Sequence, residues 1–385
     1  MPNITLPALA VASLMLAASH PAHATSFATL YHFTDKSDGG DPVGGIIVGA
    51  SGTIYGETYQ GGSYICPNPP YTNQGCGTVY SLSKAGGFKL LASFTGTNGG
   101  HGNITPVLVG NTLYGATAAG GASNDGVIFS VNTGGTNFTL LHQFSGTDGT
   151  EPDALVADKT GTLYGITEYG GTSNDGVLFS LSSTGTYTVL HNFTLPASGY
   201  PNALIIAPNG TLVGSSFDGG GASEACHAGC GTVFAYEPTS EKYISLFTFP
   251  GSGLDGYSPY IGSLGSGSTI YGANYANSIF SLSRSAGFTV LADLNFYTVG
   301  IDANSGPVSA PNGTLYGVLY GSVLATDGLI YRLQNGVMQD LYAFDGGLNG
   351  SGPVAKPTLT ATGALLGTTE GGTCDYCGTI WEFTP

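Results

Sequence analysis

Residues 161–181 read GTLYGITEYGGTSNDGVLFSL. Two short runs rich in Leu, Val, Ile, Tyr, Phe and Thr are separated by Gly, Asn, Asp and Ser. Branched and aromatic side chains suit a pleated surface, and the punctuating residues suit tight turns, so the stretch reads as two strands joined by a loop. One further run precedes it and another follows. The unit is therefore four predicted strands, A to D, over 153–157, 162–168, 177–181 and 186–193.

The same plan recurs along the chain. The step Gly161-Thr162-Leu163-Tyr164-Gly165 has counterparts at 52–56, 111–115, 210–214, 268–272, 313–317 and 363–367, spaced 45–59 residues apart. The second step, Gly176-Val177-Leu178-Phe179, has counterparts ending in Tyr80, Phe129, Phe234, Phe280, Tyr331 and Trp381. A third run closes at Phe94, Phe144, Phe193, Phe249, Leu294 and Phe344. It is missing after the last unit, and Leu30-Tyr31-His32-Phe33 supplies it from the other end of the chain. Seven units of four strands, the last completed by an N-terminal strand, predict an all-β fold: a closed seven-bladed β-propeller with no exposed sheet edge. No stretch holds a helical period.

The pattern Tyr-Gly-x-Thr-x-x-Gly-Gly, then Gly-Thr-Val-Phe-x-Leu, then a strand ending in Phe resembles the GloVer tandem-repeat family of exported bacterial proteins. Gly165 to Leu181 shows it best, and the resemblance spans residues 26–385. Two units depart from it: Tyr275-Ala276-Asn277 replaces the Gly-Gly loop, and Leu319 stands where Thr is expected. The resemblance implies the propeller fold and export. It implies no particular activity.

Composition narrows the function. Only 8% of the 385 residues are charged, against about 25% in an ordinary domain. Eight Lys and Arg against 24 Asp and Glu give a formal charge of −16. A duplex nucleic acid needs clustered basic residues, and an anionic membrane repels such a chain, so neither is an expected partner. With 41% hydrophobic residues and a mean hydropathy of +0.15, the chain can bury a core. The 64 glycines show no three-residue period, which excludes collagen.

Residues 1–24 contain no charged side chain, and an apolar run from Leu6 to Ala18 leads to Ala22-His23-Ala24. This reads as a secretory signal peptide ahead of a propeller over 25–385, although the usual basic start is missing. The expected location is secreted or periplasmic. Six cysteines fall as three close pairs, Cys66 with Cys76, Cys226 with Cys230 and Cys374 with Cys377. In an exported chain these predict three short-loop disulfides.

In an antiparallel blade the B–C and D–A connections share one face. The B–C loops vary most and carry all six cysteines, which marks that face as the expected binding surface. Acids cluster in the D–A loops there, among them Asp35, Asp38, Asp41, Asp148, Glu151, Asp255, Asp302 and Asp345. Turn chemistry accounts for most. Asp35, Asp38 and Asp41 are close enough in sequence to suggest Ca²⁺ ligands, without an EF-hand spacing; no other cofactor is expected. At the ends of the B strands, Glu168, Asp218 and Glu370 stand near Tyr59, Tyr169, Tyr275 and Tyr320. Glu57 interrupts a column otherwise held by Ala116, Ile166, Ser215, Ala273, Val318 and Thr368, which is mostly small or apolar and reads as packing between blades. That places it either near the channel mouth or beside a partner. Paired carboxylates serve as acid and base or nucleophile in glycoside hydrolysis, and Tyr rings stack on sugars. The alternative is a solvated rim. His32, His142 and His191 read as one packing column. No Gly-x-Ser-x-Gly elbow, His-Glu-x-x-His motif or Walker loop occurs.

The leading expectation is a monomeric recognition scaffold for a glycan or cell-surface protein. The alternatives are a carboxylate-dependent glycan hydrolase or lyase using Glu57, Glu168, Asp218 or Glu370, and a structural envelope protein.

Overall fold

The computed structural model describes residues 25–67, 74–221, 226–251, 257–275, 278–294, 305–321 and 327–385. Residues 1–24, where a signal peptide is expected, Asp255, Asp302 and the Ala276-Asn277 turn lie outside the described residues. The chain forms a seven-bladed β-propeller of four-stranded antiparallel sheets, each ordered A-B-C-D from the inside out. In the third blade the strands are Thr150–Ala157, Leu163–Tyr169, Val177–Leu181 and Tyr187–Asn192. Strand C falls where the sequence puts it, and strand A starts earlier than expected because Thr150 pairs with Tyr169. In the second blade strand A is split into Gly100–Gly102 and Val107–Val109, both paired with Thr112–Ala119. Pro106, which has no N–H to give a ladder, lies in the gap. The N-terminal strand Ser26–His32 pairs antiparallel with Thr379–Thr384 and closes the ring.

The repeated aromatic of strand C explains why the repeat exists. Tyr80, Phe129, Phe179, Phe234, Phe280, Tyr331 and Trp381 are all buried. Each packs against the closing residue of strand D in the preceding blade. The ring pairs Phe94–Phe129, Phe144–Phe179 and Phe344–Trp381 lie 5.3, 5.6 and 5.8 Å apart, edge to face. Phe33 of the closing strand meets Tyr80 of the first blade at 5.0 Å, so the seam uses the same contact as every other blade junction. The glycine of the Tyr-Gly step is required by this packing. A Cβ at Gly165 would overlap the tip of the Phe179 ring, and the same holds for Gly214 under Phe234 and Gly367 under Trp381.

A second contact repeats on the loop-rich face. Gly176, with φ of +96°, leaves no room for a Cβ against Pro201 of the next blade, and the Tyr200 N–H donates to the Asp175 carbonyl at 2.8 Å. Gly126 meets Pro152, Gly231 meets Pro259 and Gly328 meets Pro353 in the same way. On the outer edge His142 stacks on Tyr187 at 3.8 Å, His191 on Tyr243 at 4.1 Å and Tyr31 on Phe88 at 4.3 Å. The packing column is therefore Tyr31, His142 and His191. His32 sits one position off it, and one position on a strand is the opposite face. Cys66–Cys76, Cys226–Cys230 and Cys374–Cys377 are disulfide-bonded, each within its own B–C loop.

Candidate functional site

In six blades the chain turns from the D–A loop into the central channel through a residue with positive φ. These residues are Asp41 (+53°), His101 (+64°), Glu151 (+53°), Tyr200 (+55°), Ser258 (+49°) and Gly352 (+66°). Positive φ is uncommon outside glycine and a true outlier for a bulky side chain such as Tyr. Asp41, Glu151, Tyr200 and Ser258 also precede proline, which normally holds its predecessor in the extended region. The surrounding ring enforces the geometry through the N–H bonds to the neighbouring blade: Glu151 to Asp125 O at 3.1 Å, Ser258 to Cys230 O at 2.8 Å, Gly352 to Asp327 O at 2.9 Å.

Beyond this bend the inner strands line a cavity of about 890 Å³ on the channel axis. Its wall takes residues from all seven blades. Glu168, Tyr169, Phe217, Asp218, Tyr275 and Glu370 come from the ends of B strands. Asp153, Asn202 and Tyr260, each directly after the recurring proline of its own blade, come from A strands together with Tyr200, and Lys356 comes from the segment just ahead of the seventh blade's A strand. The cup thus gathers three of the four carboxylates singled out in the sequence, from the third, fourth and seventh blades. It also gathers Tyr169 and Tyr275. Tyr59 and Tyr320 stand outside the lining: the Tyr59 ring packs on His101 at 4.6 Å, and the Tyr320 hydroxyl donates to Glu370.

Residues 70–278, more than half of the chain, match the model of the Gloeobacter/Verrucomicrobia repeat. The chain belongs to that family. A search of the curated proteins returns no match. Among solved structures, the extracellular domain of BT4673 of B. thetaiotaomicron, described as a hybrid two component system, is 13% identical with a TM-score of 0.56; the alignment covers 92% of this chain and 39% of that one. A second structure of that extracellular domain gives 10% identity and a TM-score of 0.54, again over 39% of its chain. An oligogalacturonate lyase in complex with manganese is 14% identical with a TM-score of 0.55, over 80% of this chain and 82% of that one. At these identities the likeness is one of fold. This repeat-family member spans well under half the length of the BT4673 chain.

The cup of this repeat-family propeller is electrostatically crowded. Burial, then Glu168 and Glu151, push the Asp153 carboxyl up to about 7. Burial, then Glu370, push Asp41 to about 7 against the opposing amide of Gln60, which donates to it at 3.2 Å; Asp35 adds to the rise. Asp218 is raised by burial and then by Asp175. Burial raises Glu370, partly offset by the Tyr320 hydroxyl. Tyr260 is raised by burial, then by Asp153. Lys356 is ringed by protein, which lowers its pKa, yet its side chain stays open to the cavity. Its Nζ donates to the Gly262 carbonyl at 2.7 Å, two blades round the channel.

Glu57 is elsewhere. It is fully buried between the first and second blades, where a Cβ on Gly102 or Gly115 would overlap its side chain. Neither carboxyl oxygen has a hydrogen-bond partner, nor does the nearby Tyr80 hydroxyl. Burial raises its pKa well above the usual range, which favours the protonated form. The expectation of a channel-mouth or paired carboxylate is corrected: the column that Glu57 interrupts is packed between blades, and Ala116 and Ala273 fill the same place with methyl groups. Asp38 accepts from the Thr34 N–H at 3.1 Å, the Thr34 hydroxyl and the Tyr31 hydroxyl at 3.0 Å, so it braces a turn. Asp148 does the same for Ser145. Among the described residues no three His, Cys, Asp or Glu side chains converge as metal ligands, and Asp35, Asp38 and Asp41 are no exception.

Sequence reading missed Asp153, Asn202, Tyr260 and Lys356. The signal was the recurring proline at 42, 152, 201, 259 and 353: the side chain after it faces the channel on at least three blades.

Proposed function

We propose that this protein is an exported recognition propeller that binds a glycan in the cup on its loop-rich face. One observation carries the reading. Carboxylates, an amide and tyrosine rings from different blades converge on one cavity, near the upper end of the usual ligand-pocket range of about 300–1,000 Å³. Tyr169 and Tyr200 lie 5.4 Å apart at an interplanar angle of 62°, and Phe217 and Tyr275 6.1 Å apart at 74°. Such rings offer apolar faces for sugar C–H groups, while the acids and Asn202 accept or donate to hydroxyls. Four carboxylates in one wall repel an acidic sugar. That sets this cup apart from one built for an oligogalacturonate, despite the shared fold.

The test is retention of the protein, without residues 1–24, on a panel of immobilised neutral, acidic and amino polysaccharides, with released products assayed in parallel. Tyr169→Ala and Tyr275→Ala are expected to weaken retention about tenfold each, the scale of a lost aromatic contact. Unchanged retention in both variants would remove the cup as the site.

A second reading, a hydrolase, rests on Asp153 and Glu168. They lie on adjacent strands of one blade, and a carboxyl whose pKa is pushed up to about 7 by burial and then by a charged neighbour is suited to general acid work. Product release that is lost in Asp153→Asn would support it. Glu57 takes no part in either reading.

A further inference from the structure

We infer that the cup selects glycans bearing free amino groups, seating a protonated amine beside Asp153 and Glu168 against the Tyr169 and Tyr200 rings. The inference rests on the cup being the glycan site proposed above, and it names the class of sugar.

Asp153 faces the cavity and is half-buried in its wall. Two further wall atoms, Asn103 Oδ1 and Ser305 Oγ, are buried without partners. An enclosed polar group left unpaired is costly, so these atoms define a place for a polar guest. The sign of the guest follows from the charges around it. Asp153, Glu168 and Glu151 repel one another, and Asp218 with Asp175 and Glu370 with Asp41 add like charge around the same cup. Lys356 is the basic residue in the wall, and its ammonium is held on the Gly262 carbonyl. Among the described residues the only ion pair is His142 with Asp148, on the outer edge. The protein therefore leaves its channel carboxylates without a counter-charge. A ligand ammonium supplies one, and the faces of Tyr169 and Tyr200 add cation–π attraction.

A sugar amine fits better than a lysine-rich peptide, because the wall pairs its acids with Asn103, Asn202 and Ser305, groups that serve ring hydroxyls. An extended basic peptide instead asks for a continuous acidic groove.

The experiment is calorimetric titration at pH 6.5 with β-1,4-linked glucosamine tetramer, the N-acetylated tetramer of equal length, and tetralysine. The wild type is expected to bind the amino tetramer at least tenfold tighter than the N-acetylated one. That preference should shrink severalfold between 20 and 300 mM NaCl, on the order expected as the screening length shortens. Asp153→Asn combined with Glu168→Gln should erase it, with circular dichroism reporting that the propeller is intact. Equal binding of the two tetramers, or a preference for the N-acetylated one, overturns the amine inference and leaves the glycan reading standing. Tetralysine binding as tight as the amino tetramer overturns it in favour of a basic peptide. No binding of either tetramer, with no retention across the polysaccharide panel, overturns both.

Discussion

Asp153 is a half-buried and Glu57 a fully buried carboxyl group in a chain with few charges, and burial raises both. Their surroundings differ in kind. Asp153 faces a cavity, has acidic neighbours and can meet a guest. Glu57 is sealed between two blades beside Gly102 and Gly115, with an unpartnered tyrosine hydroxyl for company. The comparison teaches that a raised carboxyl pKa does not mark a site. What distinguishes the two is access: one unpaired acid can be satisfied by something that binds, the other only by keeping its proton.

The largest effect should come from removing the sealed acid. Below about pH 4.5 Glu57 is protonated whether the chain is folded or not. Above that the unfolded chain ionises while the folded one keeps its proton. Folding stability then falls by about 1.4 kcal/mol per pH unit until the folded pKa is reached. Glu57→Met keeps an unbranched chain of similar length and removes the unpaired oxygens. Denaturant unfolding should show the variant more stable than wild type at pH 7, by a margin that shrinks towards pH 4. A variant that is less stable at pH 7 would mean that Glu57 has a partner.

How much of this was legible depends on what repeats. The blades were readable because Tyr80, Phe129, Phe179 and their counterparts recur at fixed distance from a glycine, and one packing rule generates all seven. The closing strand was readable because Leu30 to Phe33 is a displaced copy of the same run. The cup was only partly readable. Glu168, Asp218 and Glu370 stood out at strand ends, but Asp153 lies in an A strand and Lys356 just ahead of one, where sequences vary because each meets different neighbours across the channel. Glu57 was conspicuous as an exception in its column. The alternation of a strand, however, does not say whether an odd residue faces a ligand or a neighbouring blade. That depends on how blades are wedged around the ring, a relation between distant segments that local pattern does not carry.

A smaller effect separates the two carboxyls from the other side. Asp153→Asn removes the charge but keeps the shape. Asp153 is pushed from its ordinary range to about 7, so wild-type stability falls as pH rises from about 4 to 7. Water in the cavity screens part of this, so the variant should gain on the order of 1–2 kcal/mol at pH 8, with little change at pH 4. The gain should be additive with that of Glu57→Met, because the two lie in different blades and share no partner. A non-additive double variant would break the picture of two independent environments.

The smallest predicted effect tests how much Glu151 adds to the rise that burial and Glu168 give Asp153. Glu151 holds φ of +53° ahead of Pro152, and Gly352 occupies the equivalent bend in the seventh blade. Glu151→Gly keeps the backbone N–H that bonds the Asp125 carbonyl and relieves a conformation that side chains resist. It also removes the less influential of the two acids acting on Asp153. The variant should be about 1 kcal/mol more stable at neutral pH. Monitored by ¹³C-detected carboxyl titration, Asp153 should ionise at a lower pH than in wild type, while the pH slope assigned to Glu57 is unchanged. An unmoved Asp153 would mean that burial and Glu168 set its pKa between them, and that Glu151 has no part in the like-charge crowding that distinguishes the cup from the Glu57 site.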